Sequence, residues 1–318
     1  MDQDRRRHYG TFYGLRPLPD DGRPVLVVHG NCQAEALRVL LAGRSTQIDG
    51  SSDQGVVHPV RVPPVHELLE PDLPFLERLL QRTRFLVSQP VRDGYRALPL
   101  GTGQLAGMLP PGATVLRVPI VRYLGLHPYQ AIVRHPSDPA AVPAGVPYHD
   151  LRIIAAVRDG LSRPVAIERA SAVAAAPAAL RAVGEISQAE LIRRERDCDL
   201  AVSDLLDQFG VEAAHTVNHP GNPVLIEMAR RVQAALGLPV VAADPGRVLL
   251  GQIRAPLEPA MLAARGLGSP AREHWLVSGA PLVVADLVPQ QMAWYGDHPQ
   301  FVAAGLARHA ERLSLLSL

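Results

Sequence analysis

The 318-residue sequence contains no lysine: all 32 of its Lys/Arg positions are arginine. Schiff-base catalysis and a P-loop phosphate clamp both need a lysine amine, so both are excluded. Cysteine is almost as scarce. Cys32 and Cys198 are the only two, and they lie too far apart for a disulfide framework or the close spacing of a zinc site. No apolar run approaches the roughly 18 residues that span a bilayer. The basic start MDQDRRRHYG is followed by no apolar segment of the kind a secretory signal carries, so a cytoplasmic compartment is expected. Net charge is only +1, which leaves no global field to draw the chain to nucleic acid or an anionic membrane. What remains is 47% hydrophobic and 20% charged residues, the balance of a soluble globular enzyme or binding protein.

The pattern along the chain alternates between strand and helix. VLVVH from Val25 is a buried strand, and Gln33 to Leu41 sets Ala36, Leu37, Leu40 and Leu41 on one helical face. Val56 to Val62 reads as a second strand, bent or at an edge because of Pro59. Leu68 to Leu80 carries a helical stripe of Leu69, Leu76 and Leu80, and Arg84 to Pro90 and Ala113 to Val121 read as two more strands. Leu124 to Asp150 is irregular, a length of loop that is usually functional or mobile. SQAE at Ser187 and Glu190 has the form of a capping box ahead of a helix reaching about Gln208, which would enclose Cys198. Asn222-Pro223 reads as a cap and first turn, and LPVVAAD from Leu238 as a final strand-like run. The expected architecture is an α/β fold with a doubly wound, mainly parallel sheet and a C-terminal helical appendage. Its expected divisions are an N-terminal arm (1–22), a catalytic core (23–250) and the appendage (251–318).

Cys32 stands where the first strand meets the first helix, at the carboxyl end of a strand, where open α/β sheets bind ligands. Backbone N–H groups and the positive end of the helix dipole lower a thiol pKa there. The same N–H groups, that of Gln33 above all, suit an oxyanion. The competing reading is a small buried cysteine packed beneath the sheet. A nucleophile needs a base, and HTVNHP offers His215 and His219, with packing against Pro220 as the alternative role for His219. SQPVRDGY places Gln89 at another strand end as an amide donor, with Asp93 and Tyr95 either at the site or shaping the loop. Tyr148, His149 and Asp150 stand together, but nothing converges into a metal set, and no metal is expected.

GNCQ, SQPVRDGY, YHD and NHPGNPVL, in that order, resemble the WcbI family of polysaccharide-biosynthesis enzymes, regarded as acetyltransferases, over roughly residues 24–245. The resemblance implies an SGNH-hydrolase-like core and coenzyme A as acyl donor. It places Cys32 as nucleophile and His219 as base. Asn31, Gln33, Gln89, Asp93, Tyr95 and Asn218 fall around them as oxyanion or substrate contacts. SGNH enzymes carry Asp three residues before the histidine. Here that residue is Thr216, so Asn218 or a carboxylate such as Asp93 is left to orient the imidazole.

The expectation is therefore a cysteine-dependent acyltransferase that moves an acyl group from acyl-CoA to a sugar-like hydroxyl. Arg92, Arg96, Arg117 and Arg122 are the candidates for the CoA phosphates. Two alternatives stand beside it: a thioesterase or esterase that passes the acyl group to water, and a non-catalytic CoA- or glycan-binding module.

Overall fold

A computed structural model describes residues 3–43, 55–138, 141–172 and 174–318. The chain divides into two compact units. The first comprises Met1–Val121, Ile192–Phe209 and Gly221–Leu250, and the second Arg122–Leu191, Gly210–Pro220 and Gly251–Leu318.

In the first unit, Val25–His29 (β1) is buried at every position, as a strand covered on both faces must be. Asn31 then caps Cys32–Leu41 (α2), its side-chain oxygen accepting from the Gln33 N–H at 2.9 Å. The helix buries Ala34, Ala36, Leu37, Leu40 and Leu41 and packs against the helix Asn222–Ala235. Gly43, at φ +74°, ends it in the left-handed conformation that glycine tolerates best.

His58–Val60 (β2), Thr83–Ser88 (β3) and Thr114–Arg117 (β4) complete a four-stranded parallel sheet of order β2-β1-β3-β4. Pro59 is tolerated because β2 is an edge strand. The first crossover runs one way from β1 and the last the other way from β3. The sheet is thus doubly wound, with its switch point between the carboxyl ends of β1 and β3.

The amino-terminal arm is part of the core. Gln3–His8 forms a short helix (α1), and Tyr9, Phe12 and Tyr13 are buried in the cluster that holds Leu76, Leu80 and Leu100. The fully buried Asp72 anchors it, accepting from Arg5 Nη2 at 2.9 Å and from the Tyr13 hydroxyl at 2.8 Å. Burial pushes the Asp72 carboxyl up, but Arg5, the Leu69 N–H and Tyr13 outweigh it and leave the group below its ordinary range. Arg and Asp in the arm read as polar coil because their partner lies far along the chain.

The second unit is built from small antiparallel sheets and helices. Gln130–Ala131 (β5) pairs with His149–Asp150 (β6), and Ala214–Thr216 (β7) pairs with His219–Pro220 (β8). Ile253–Arg254 (β9), His274–Val277 (β10) and Ala280–Val283 (β11) form a three-stranded sheet. The carboxyl-terminal end is helical over Val284–Asp297, Pro299–Arg308 and Ala310–Leu315. Its core stacks Tyr295 on Phe301 above Ile154.

Several local expectations fail for identifiable reasons. Ser187 caps nothing: it lies inside the helix Pro177–Glu195, and its hydroxyl accepts from the Leu124 N–H at 3.0 Å. That helix stops before Cys198, so the thiol sits in a turn beyond its end. Asn222 is already helical, and its amide instead ties down the loop at Arg247 and Leu249. LPVVAAD forms no strand: Val240 and Val241 are exposed, and the buried Gln233 side chain takes the N–H groups of Val241 and Ala242. Residues from 251 carry β9, β10 and β11 and the short helix Pro259–Ala264 ahead of the terminal helices. Leu69 is exposed because a 3-10 turn, Glu70–Asp72, precedes the helix Leu73–Leu80.

Candidate active site

Cys32 is the first residue of α2 and lies at the switch point of the sheet. Gly30 and Gln89 build the turn that carries it. The Gln89 side-chain oxygen accepts from the Asn31 N–H at 2.8 Å, and the Gln89 N–H donates to the His29 carbonyl at 2.9 Å. Residue 30 must be glycine here, since a Cβ would stand 2.3 Å from Gln89 Oε1. Beneath them, Thr102 Oγ1 donates to the Gln89 carbonyl at 3.0 Å and lies 3.0 Å from Ser88 Oγ. The Gln33 side chain is spent on both polar groups of Val121: Nε2 donates to its carbonyl at 2.8 Å, and Oε1 accepts from its N–H at 3.0 Å. The turn is a rigid, fully bonded platform.

The Gln89 oxygen serves the turn, and the Gln33 N–H donates to the Asn31 side chain. The thiol departs from the expected low pKa. Burial raises Cys32, and the N–H groups of Gln33 and Cys32 itself, which pull the other way, do not cancel that rise. A helix N-terminus lowers a thiol pKa only when the sulfur keeps enough water, and this one is half-buried. Cys198 is also raised, pushed up to about 11 by burial and by Glu195, Asp197 and Asp199.

Within the same unit the loop after β3 places its residues differently. Asp93 lies against Gly101, where a Cβ would meet its carboxylate, and partly buried Tyr95 packs on the core. Arg92, Arg96 and Arg117 are exposed. The Arg96 guanidinium donates to the His66 carbonyl, and the Arg117 N–H takes the Asp199 carboxylate at 2.6 Å. Arg122 is exposed in the second unit. A cationic cleft of about 370 Å³ gathers others instead: Arg7, Arg16, Arg38 and Arg61. Glu35 pairs with both Arg38 and Arg61, at 2.7 and 2.9 Å. The sequence signal for this cleft was the arginine-rich arm, which pattern alone reads as solvent-exposed.

His219 belongs to the second unit and sits on β8 beside a polar cluster. The Tyr148 hydroxyl donates to Asn218 Oδ1 at 2.8 Å and lies 3.4 Å from His219 Nδ1. Thr216 Oγ1 donates to the Tyr148 oxygen at 3.0 Å. Trp275 stacks on the other side of Tyr148, with ring centroids 5.9 Å apart. Thr216 thus meets the histidine through Tyr148 and Asn218, a route that sequence spacing does not reveal. His215 is different. It is buried, its Nε2 has no partner among the described residues, and burial first, then Arg254, His219, His127 and Arg272, push it down to about 4.

The trio Tyr148, His149 and Asp150 separates. His149 Nδ1 lies 2.8 Å from the Tyr295 hydroxyl. Asp150 caps the helix Leu151–Arg158 and pairs with Arg152 at 2.7 Å. No helix among the described residues is long and apolar enough to cross a membrane.

No curated protein matches the chain significantly. A solved structure of WcbI, described as a novel polysaccharide biosynthesis enzyme, is similar at a TM-score of 0.74 and 21% identity. The match covers 93% of this chain and 98% of that one. That structure is of the native protein without a disulfide bond between coenzyme A and one of its cysteines. At this identity the likeness establishes the α/β fold. Residues 25–240, more than half of the chain, match the family described as polysaccharide biosynthesis enzyme WcbI, and the chain belongs to that enzyme family.

Proposed function

We propose that this enzyme transfers an acyl group from acyl-CoA to a sugar-like hydroxyl through an acyl-Cys32 intermediate, with His219 as base. The observation that carries the reading is the placement of Cys32: first residue of a capped helix, at the switch point of a doubly wound sheet. The neighbour's naming of coenzyme A together with a cysteine supports the donor.

His219 would take the thiol proton as sulfur adds to the thioester carbonyl, and the CoA thiolate would leave and be protonated. The acceptor hydroxyl would then lose its proton to His219 as its oxygen attacks acyl-Cys32, expelling the cysteine thiolate. A raised thiol pKa fits this sequence, because the proton is held until a base and substrate are in place. Tyr148, with Asn218 and Thr216 behind it, is the group we assign to orienting the imidazole. Arg7, Arg16, Arg38 and Arg61 supply fixed positive charge suited to the CoA phosphates.

Incubation with acetyl-CoA, followed by intact mass and peptide mapping, tests the reading. One acetyl group on Cys32, stable until an acceptor is added, is the expected result. Rapid CoA release with no acceptor present would instead make the chain a thioesterase. Binding with no adduct and no turnover would make it a module, and either result would displace acyl transfer.

A further inference from the structure

The amino-terminal arm lies outside residues 25–240, over which the chain matches its family, yet it builds one side of the cationic cleft. Arg7, Thr11 and Arg16 of the arm line it together with Arg38 of α2 and Arg61, the residue after β2. All of these belong to the first unit.

The charge there is unbalanced. Among the described residues, no carboxylate lines the cleft. Glu35 alone holds both Arg38 and Arg61, at 2.7 and 2.9 Å. Arg7 meets Asp4 only at 3.8 Å, with both side chains largely in water, where such a pair contributes little. Four guanidinium groups against one closely held carboxylate leave about three positive charges.

The donors have room for a ligand. Arg16 makes one long hydrogen bond, 3.4 Å to the Arg7 carbonyl, and Arg61 approaches Glu35 through Nε. Their outer forks are the planar donors that suit phosphate oxygens. Both are fixed in place by the arm. The Gly10 carbonyl accepts from the Leu15 and Arg16 N–H groups at 2.8 and 3.3 Å, and the Arg61 guanidinium stands 5.7 Å from the Tyr9 ring centroid. Arg38 also lines a small hollow with Gly30, Asn31 and Ala34, so it joins the cleft to the turn that carries Cys32. Like charge on both sides of the seam pushes arm and core apart, against the hold of Arg5 on Asp72. A polyanion between them reverses that sign.

We propose that a diphosphate group binds in this cleft and clamps the arm, bridging Arg7 and Arg16 to Arg38 and Arg61. Its multiple charges offset the excess, which a lone carboxylate would not. Where the diphosphate is that of the acyl donor, the proposal rests on the acyl-transfer reading; as a clamp on the arm it stands on the cleft alone.

Calorimetry on the full chain at constant ionic strength reads binding, with inorganic pyrophosphate, sulfate, acetyl-CoA and the phosphate-free S-acetylpantetheine as probes. Chymotrypsin cleavage after Phe12 or Tyr13, buried arm residues that do not line the cleft, reads lifting of the arm. Pyrophosphate at about ten times its dissociation constant should slow that cleavage about tenfold, and sulfate should do little. Arg16→Gln should weaken pyrophosphate binding about tenfold. It should also slow cleavage with no ligand added, because the seam has lost a like charge; loss of a merely structural arginine would speed it. Protection by acetyl-CoA but not by S-acetylpantetheine would identify the donor as the source. Protection by pyrophosphate alone would assign the clamp to a separate diphosphate ligand. No pyrophosphate binding, equal protection by sulfate, or binding undiminished by Arg16→Gln would each overturn the proposal. So would binding that leaves the arm as readily cut. Intact mass of the acetyl-CoA samples keeps the two questions apart. Acyl-Cys32 without arm protection by any probe removes the clamp and spares transfer, and protection without an adduct does the reverse.

Discussion

The side-chain oxygen of Gln89 accepts from the backbone N–H of Asn31 at 2.8 Å, joining the carboxyl ends of β3 and β1 one residue before Cys32. Gln89→Ala would leave that half-buried N–H without its partner, at a cost of about 1–3 kcal/mol. Gly30→Ala would drive a methyl group into the same amide. Both variants should lower the melting temperature and acyl-Cys32 formation together, as read by scanning calorimetry and intact mass. An unchanged adduct rate in a destabilised Gly30→Ala protein would mean that the turn does not position the thiol.

The raised Cys32 thiol sets the reactivity of the resting chain. Alkylation by iodoacetamide should be slow at neutral pH and rise about tenfold per pH unit, because only the thiolate reacts. Cys198, held near 11, should trail Cys32 throughout. Peptide mapping of a timed labelling series checks this. Earlier modification of Cys198 would contradict the order.

His219 and His215 separate chemistry from packing. A true base contributes about a hundredfold to ten-thousandfold in rate, so His219→Ala should lose at least the lower figure on folded protein. His215, buried and neutral, should cost stability when replaced while leaving the rate per folded molecule nearly unchanged. Single-turnover transfer, normalised to folded protein, distinguishes them. Equal and small losses would remove the Cys-His pairing.

Acid should weaken the second unit ahead of its carboxylates. His127, His149, His215 and His309 are all held near 4 by burial, against an ordinary value of 6.5. Between these values the unfolded chain binds more protons than the folded one, so stability is full above pH 6.5 and falls as pH drops towards 4. Denaturant titrations at stepped pH should show the steepest loss in that window. Replacing His127 and His149 by Gln should flatten the slope, whatever their effect on the absolute stability.

Legibility in the sequence followed the range of the interactions. β1, α2 and the edge position of β2 were readable because four consecutive apolar residues, a one-sided apolar stripe and a proline each act within one strand or one helix. The position of Cys32 followed from them. What short-range pattern could not supply were partners far along the chain. Ser187 looks like a cap until Leu124 claims its hydroxyl. Arg5 looks solvated until Asp72 is found. Thr216 looks like a missing carboxylate until Tyr148 and Asn218 lie beside it. The thiol pKa failed for another reason: the helix terminus was visible, but the burial opposing it was not.

The clasp between Arg5 and Asp72 makes the amino-terminal arm a gauge of local opening. Trypsin must take an arginine side chain into its own pocket, and the guanidinium of Arg5 is already held by a fully buried carboxylate and by the Glu67 carbonyl. Cleavage after Arg5 therefore counts the moments when the arm lifts away while the parallel sheet stays intact. A fusion partner attached at this end would pull on that carboxylate directly, so the placement of a purification tag is a thermodynamic choice.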